Sequence, residues 1–349
     1  MAGDRVMDIR NRAFAGAIVL IMVMSTALLS LPVTGARTSY EYYIWGSPDD
    51  VSPETSPGLL LAGGSNDVPA GMEWMIEKSG GGDFVVIRCA GTDAYNPWIF
   101  KQLDGSVDSC ETIIFVTSEA CDDPFVLGKI RNAEALFIAG GDQRDYVNMW
   151  KGTQVEDAIH DVVLKGAPVG GTSAGLAVLG EFVFSAENDT VYSDDALENP
   201  YNRRVALARD FLVMPNMDET ITDSHFVARD RMGRLVVFLA RIVQDGWADQ
   251  ARGIGIDEKT ALGVEPNGDV TMFSLCKTSG GAAYFLSTPG MPEVCEERTP
   301  LTYLDMSVYK ITDSSTFNLA TWTGTGGTTY YLSAVDGVLT STQPGGEIY

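Results

Sequence analysis

From residue 58 the chain repeats one unit: a short run of consecutive apolar residues, then a stretch with helical spacing. The runs occupy 58–64, 83–87, 112–116, 135–139 and 167–171, and helical spacing fills 68–78, 123–132 and 146–165. A strand that is apolar at every position must be covered on both faces, and it alternates with helices when its neighbours are parallel. The expected fold is therefore α/β, a doubly wound and mostly parallel sheet. In such sheets ligands bind beyond the carboxyl ends of the strands. Three glycine-rich strand ends gather there: Gly63-Gly64, Gly140-Gly141 and the turn after Gly171.

That last turn carries chemistry. Gly171-Thr172-Ser173-Ala174-Gly175 leads from an apolar strand into the apolar run 176–179, which is how a strained strand-to-helix turn presents a serine hydroxyl. Ser173 is the candidate nucleophile, although a glycine-rich turn with an incidental serine reads equally well from this motif alone. Gly140-Gly141 can aim backbone N–H groups at a developing oxyanion, or can serve as a tight turn. Gly63-Gly64 lacks the spaced glycines of a dinucleotide site. No nucleotide or other cofactor is expected.

A serine nucleophile needs a base, and the chain holds two histidines. His160 lies among acids on the polar side of its helical stretch. His225 falls in Asp223-Ser224-His225-Phe226, where a loop meets a helix, and is the candidate base. Arg229, Arg231 and Arg234 follow it. Guanidinium forks suit capture of a substrate carboxylate, while ion pairs with Asp223 and Asp230 are the plainer reading.

The apolar stretch 13–31, followed by small residues to Ala36, reads as a signal peptide or membrane anchor, so an exported or anchored protein is expected. With 24 basic and 47 acidic residues the net charge is −23, which argues against nucleic acid or anionic membrane surfaces as partners. Cys89, Cys110, Cys121, Cys276 and Cys295 have no metal-ligand spacing, so no metal is expected. Export would allow disulfides Cys110–Cys121 and Cys276–Cys295, with Cys89 a buried thiol. The remaining divisions are a linker or arm over 37–57, a catalytic domain over 58–275 and a β-rich extension over 276–349, where short Thr-, Tyr- and Val-rich pieces begin.

Taken together, Gly140-Gly141-Asp142-Gln143, Gly171-Thr172-Ser173-Ala174-Gly175 and Asp223-Ser224-His225-Phe226 with Arg229, Arg231, Gly233 and Arg234 resemble three signatures of the cyanophycinase group of peptidase family S51. The similarity takes in the segment 253–261, from Gly253 to Ala261, and spans roughly 58–264. It implies a flavodoxin-like sheet of the class I glutamine-amidotransferase kind, with serine in place of the usual cysteine. It also implies hydrolysis at acidic residues, either of aspartyl dipeptides or of β-Asp-Arg units of the polymer cyanophycin. A homodimer is a family-level expectation.

Carried over by position, the resemblance makes Ser173 the nucleophile, His225 the base, and the N–H groups of Gly141 and Ala174 the oxyanion hole. Gln143, Arg229, Arg231 and Arg234 would line the substrate pocket with Glu258 nearby. The acid that orients His225 is expected to be Asp189, with Glu187 as the alternative and Glu258 third. Ser224 stands where the group usually has glutamine, and 192–211 looks like an added loop beside the site. An α/β-hydrolase esterase shares the order serine, acid, histidine, but has no use for three arginines after the histidine. A silent binding protein with the same pocket is the reading from a different class.

Overall fold

The computed structural model describes residues 38–103, 105–276, 281–312 and 314–349. The apolar segment 13–31 lies outside them; among the described residues no helix is long and apolar enough to cross a membrane.

Two sheets carry the fold. The first runs, in spatial order, β1 (Tyr40–Gly46), β4 (Ser109–Phe115), β3 (Asp83–Arg88), β5 (Ala135–Ile138), β6 (Val169–Thr172), β2 (Leu59–Ala62), β11 (Thr260–Val264), β12 (Asp269–Ser274), β15 (Thr316–Asn318) and β16 (Thr323–Thr325). From β4 to β2 all neighbours are parallel. Antiparallel strands extend the sheet on both sides. The second sheet runs β18 (Val338–Ser341), β17 (Thr328–Val335), β14 (Tyr303–Ile311), β13 (Ala283–Ser287), β10 (Arg252–Ile256), β9 (Thr220–Asp223), β7 (Phe182–Phe184) and β8 (Leu207–Arg209).

The continuous apolar runs bury both faces of the parallel strands, as their composition requires. Leu59, Leu61, Val85, Ile87, Leu136 and Ile138 enter one core. Their neighbours Leu60, Ala62, Phe84, Val86, Ala135 and Phe137 enter another on the opposite face. A third core joins the second sheet to the helix Met232–Gln244. That helix buries Leu235, Val236, Phe238 and Leu239 completely, and each such side chain contributes roughly 1.5–3 kcal/mol.

The β-rich extension expected after 275 is present and adds antiparallel strands to both sheets, with β13 pairing with β10 and β15 with β12. Strands rich in Thr and Tyr cannot bury a core of their own and complete one already begun. Two features differ from the sequence reading. The stretch 37–57 carries β1, which pairs along its whole length with β4. All five cysteines are free thiols. Cys110 is enclosed in β4 beside Asn96, and the Cys121 thiol donates to the Met149 carbonyl, so that pair is not joined.

Candidate active site

β6 ends at Thr172, and the next residue, Ser173, has φ +55° and ψ −112° before the short helix Ala174–Ala177 begins. A side chain rarely adopts this conformation, and it lifts the hydroxyl clear of the strand end. The flanking glycines are required by space. A Cβ on Gly175 would stand 2.0 Å from the Ile138 carbonyl oxygen, and one on Gly171 would stand 2.5 Å from that of Gly175.

His225 and Glu258 come from neighbouring strands of the second sheet. β9 and β10 are parallel, with Asp223 opposite Gly255. His225 follows the first strand end by two residues, and Glu258 sits in the turn beyond the second. Ser173 Oγ lies 2.7 Å from His225 Nε2, and His225 Nδ1 lies 2.6 Å from Glu258 Oε1. The carboxylate accepts from Nδ1–H and leaves Nε2 to accept the serine proton.

The end of β2 holds these pieces in register. Ala62 O accepts the Ser173 N–H at 3.1 Å, Gly63 O accepts the His225 N–H at 2.7 Å, and Gly64 O accepts the Lys259 N–H at 3.0 Å. Three consecutive carbonyls thus fix the serine, the histidine and the turn bearing Glu258. Asp257 secures the same turn by accepting the N–H groups of Val227 and Ala282.

Burial lowers the His225 pKa from its ordinary value, more than the Glu258 hydrogen bond raises it, and Arg229 and Arg231 add to the lowering. The bond to His225 lowers the Glu258 pKa in turn. The imidazole is therefore held in the neutral form, fit to take a proton, to lower pH than a free histidine would be.

The hydroxyl faces a recess lined by Gly141, Ala174, Thr222 and Ser224. Among the described residues neither the Gly141 nor the Ala174 N–H donates to another protein group. Beyond the recess opens a cavity of about 640 Å³, walled by Gln143, Asp189, Tyr192, Arg229 and Arg231 among others. Tyr192, at the start of the 192–211 segment, is 66% exposed there.

The arginines divide by what they already hold. Arg234 is buried and grips Asp223 with Nε at 2.7 Å and Nη2 at 2.5 Å, while its Nη1 holds Thr190 and Val191. Its guanidinium is committed to the fold. Arg231 gives Nη1 to the Ser224 carbonyl and to Asp223, and burial brings its pKa down to about 10. Arg229 is exposed and has no ion-pair partner among the described residues. Its positive charge is uncommitted and is felt by His225.

The other expected residues separate. Asp189, with φ +80°, turns to the cavity rim and accepts the Thr190 N–H, and Glu187 accepts from the Asn148 amide. Neither bonds to His225; the carboxylate there is Glu258. Gln143 donates to the Phe184 carbonyl, which anchors its amide on the cavity wall. Ser224 is 4% exposed and is held by Arg231. His160 accepts the Val213 N–H away from the serine. Among the described residues no cluster of His, Cys, Asp and Glu forms a metal site. The sequence reading missed the part of Gly63-Gly64, whose signal was two glycines closing a buried strand.

Residues 100–268 match the model of peptidase family S51. A cyanophycinase of Trichormus variabilis is 29% identical over 171 residues, covering 49% of this chain and 51% of that protein. One of Synechococcus elongatus is 25% identical over 275 residues, covering 76% of this chain and 80% of that one. The chain thus spans about half the length of the first of these relatives and more of the second. Among solved structures, a peptidase from an acI-B1 Actinobacterium aligns with 76% of this chain and 98% of its own, at TM-score 0.49 and 16% identity. The segment 100–268, which contains Ser173, His225 and Glu258, is thus similar to peptidase family S51.

Proposed function

We propose that this protein is a serine exopeptidase that hydrolyses amide bonds next to aspartate, in the manner of a cyanophycinase. The observation that carries the reading is the unbroken hydrogen-bonded chain Ser173–His225–Glu258 at the mouth of a cavity with an uncommitted arginine.

In the first step Ser173 Oγ attacks the scissile carbonyl while Nε2 of His225 takes its proton. Negative charge moves to the carbonyl oxygen, where the N–H groups of Gly141 and Ala174 receive it. Each such donor is worth about 2.7–4 kcal/mol of barrier in well-studied cases. The C–N bond breaks as His225 returns the proton to the leaving amine, and water reverses the sequence to free the acid and Ser173. Glu258 stabilises the imidazolium throughout. Arg229, with Arg231 behind it, meets the carboxylate of the aspartyl residue.

The relatives named cyanophycinase favour a substrate built from aspartate and arginine. The exposed carboxylate of Asp189, which no cation pairs among the described residues, lines the same cavity as Arg229 and suits the arginine end of such a unit. The test is release of amine from β-Asp-Arg polymer and from Asp-initiated dipeptides, by the wild type beside Ser173→Ala. Release that disappears in the variant supports the reading, and polymer against dipeptide identifies the branch. No Ser173-dependent release from either favours a binding protein.

A further inference from the structure

We propose that Arg88 is the positioning residue of the oxyanion hole, and this inference rests on the peptidase reading above. Arg88 ends β3 (Asp83–Arg88) on the carboxyl side, next to β5, where Ile87 stands opposite Ile138. The chain leaving β5 is Ala139-Gly140-Gly141, and Ala139 N–H donates to the Ile87 carbonyl at 3.1 Å. The Arg88 side chain is thus brought alongside the Gly140–Gly141 peptide.

Its guanidinium makes three hydrogen bonds, all of them to backbone carbonyls. Nε donates to Ala90, Nη1 to Thr92 at 3.1 Å and Nη2 to Gly140 at 3.2 Å. No carboxylate lies within ion-pair distance among the described residues. The loop that wraps it is shaped for it: Gly91 has φ +115°, and a Cβ there would stand 2.3 Å from Nη2.

One of those three carbonyls belongs to the peptide whose other end is the Gly141 N–H. A peptide is planar and trans, so its C=O and N–H point in opposite directions. Holding the Gly140 oxygen toward Arg88 therefore holds the Gly141 N–H away from it. Ser173 lies close by, since a Cβ built on Gly140 would be 3.5 Å from Ser173 Cβ, and Gly141 lines the recess that the hydroxyl faces. A cation on the carbonyl also polarises the amide and strengthens its N–H as a donor. No carboxylate is in direct contact with the guanidinium, although Asp67 feels its charge, and the cation adds to the field where the oxyanion forms.

The experiment compares Arg88→Met and Arg88→Lys with the wild type in the full chain, on the Asp-initiated dipeptide that the wild type turns over fastest. The methionine variant should lose roughly tenfold or more in kcat with KM within about twofold. The lysine variant should recover part of that loss, because it keeps the charge but cannot reach all three carbonyls. A loop staple alone would change thermal stability and leave kcat within about twofold, and that result overturns the proposal. Should the methionine variant not fold, the lysine variant decides. Several-fold loss in kcat at unchanged KM supports the proposal, and wild-type kcat overturns it. A wild type that neither turns over these dipeptides nor reacts at Ser173 removes the peptidase reading and this inference with it, an outcome separate from any effect of Arg88.

Discussion

Gly64 leaves the space that the His225 ring occupies: a Cβ on Gly64 would stand 2.6 Å from Nε2, and the residue has φ +94°. Its carbonyl, with those of Ala62 and Gly63, forms the clamp that holds Lys259, Ser173 and His225. Gly64→Ala should therefore displace the imidazole while leaving the three cores untouched. A shift of about 1 Å at a reacting group can cost on the order of 10²-fold. The expected result is a kcat loss of that order, with a Tm change small enough that the protein stays folded at the assay temperature.

Glu258 is the carboxylate on His225, so Glu258→Gln should lower kcat by roughly 10²-fold or more through loss of the tautomer and of the imidazolium's partner. Asp189→Asn, at the rim, should leave kcat for a dipeptide without a cationic side chain within about twofold. Steady-state kinetics on both variants checks the assignment, and a larger loss from the Asp189 variant would reverse it.

The pH profile follows from the surroundings of His225. Burial and the two arginines lower its pKa, so the acid limb of kcat/KM should lie below the free-histidine value of about 6.5. Activity is lost as pH falls through that limb, because the protonated ring cannot accept the serine proton. Arg229→Ala removes one nearby positive charge and should move the limb to higher pH. Glu258→Gln removes the one influence that raises the pKa and should move it lower. Rate–pH profiles of the three proteins read these directions.

Arg229 and Arg234 should fail in different ways. Arg229→Ala should raise KM for substrates bearing the carboxylate and leave Tm nearly unchanged, since its guanidinium holds nothing among the described residues. Arg234→Ala leaves Asp223 with one remaining cation, and breaking a buried pair costs about 3–5 kcal/mol. Thermal melts beside KM values separate the two roles.

What could be read from the sequence was what neighbours in the chain determine. Phe84 to Ile87 and Ala135 to Ile138 announce two-faced burial by being apolar throughout, and both lie in the parallel core. The glycines around Ser173 mark a tight strand-to-helix turn because no side chain fits there. What could not be read was partner choice across the chain. Glu258 meets His225, 33 residues away in the chain, because β9 and β10 lie side by side. Pairing of the arginines with Asp223 was the plainer reading of their segment and is present for Arg231 and Arg234, but which arginine stays unpaired could not be read. The Thr- and Tyr-rich strands after 275 read as a β-rich extension and no more, because their periodicity does not say which sheet they join.

The site of reaction with a fluorophosphonate probe reads the nucleophile directly. The purified protein is treated with the probe, digested and examined by peptide mass spectrometry, beside His225→Ala and Glu258→Gln. One adduct is expected, on Ser173, abolished in the histidine variant and slowed in the glutamine variant. An unmodified Ser173 in the wild type, or labelling indifferent to His225, would contradict Ser173 as the nucleophile with His225 as its base.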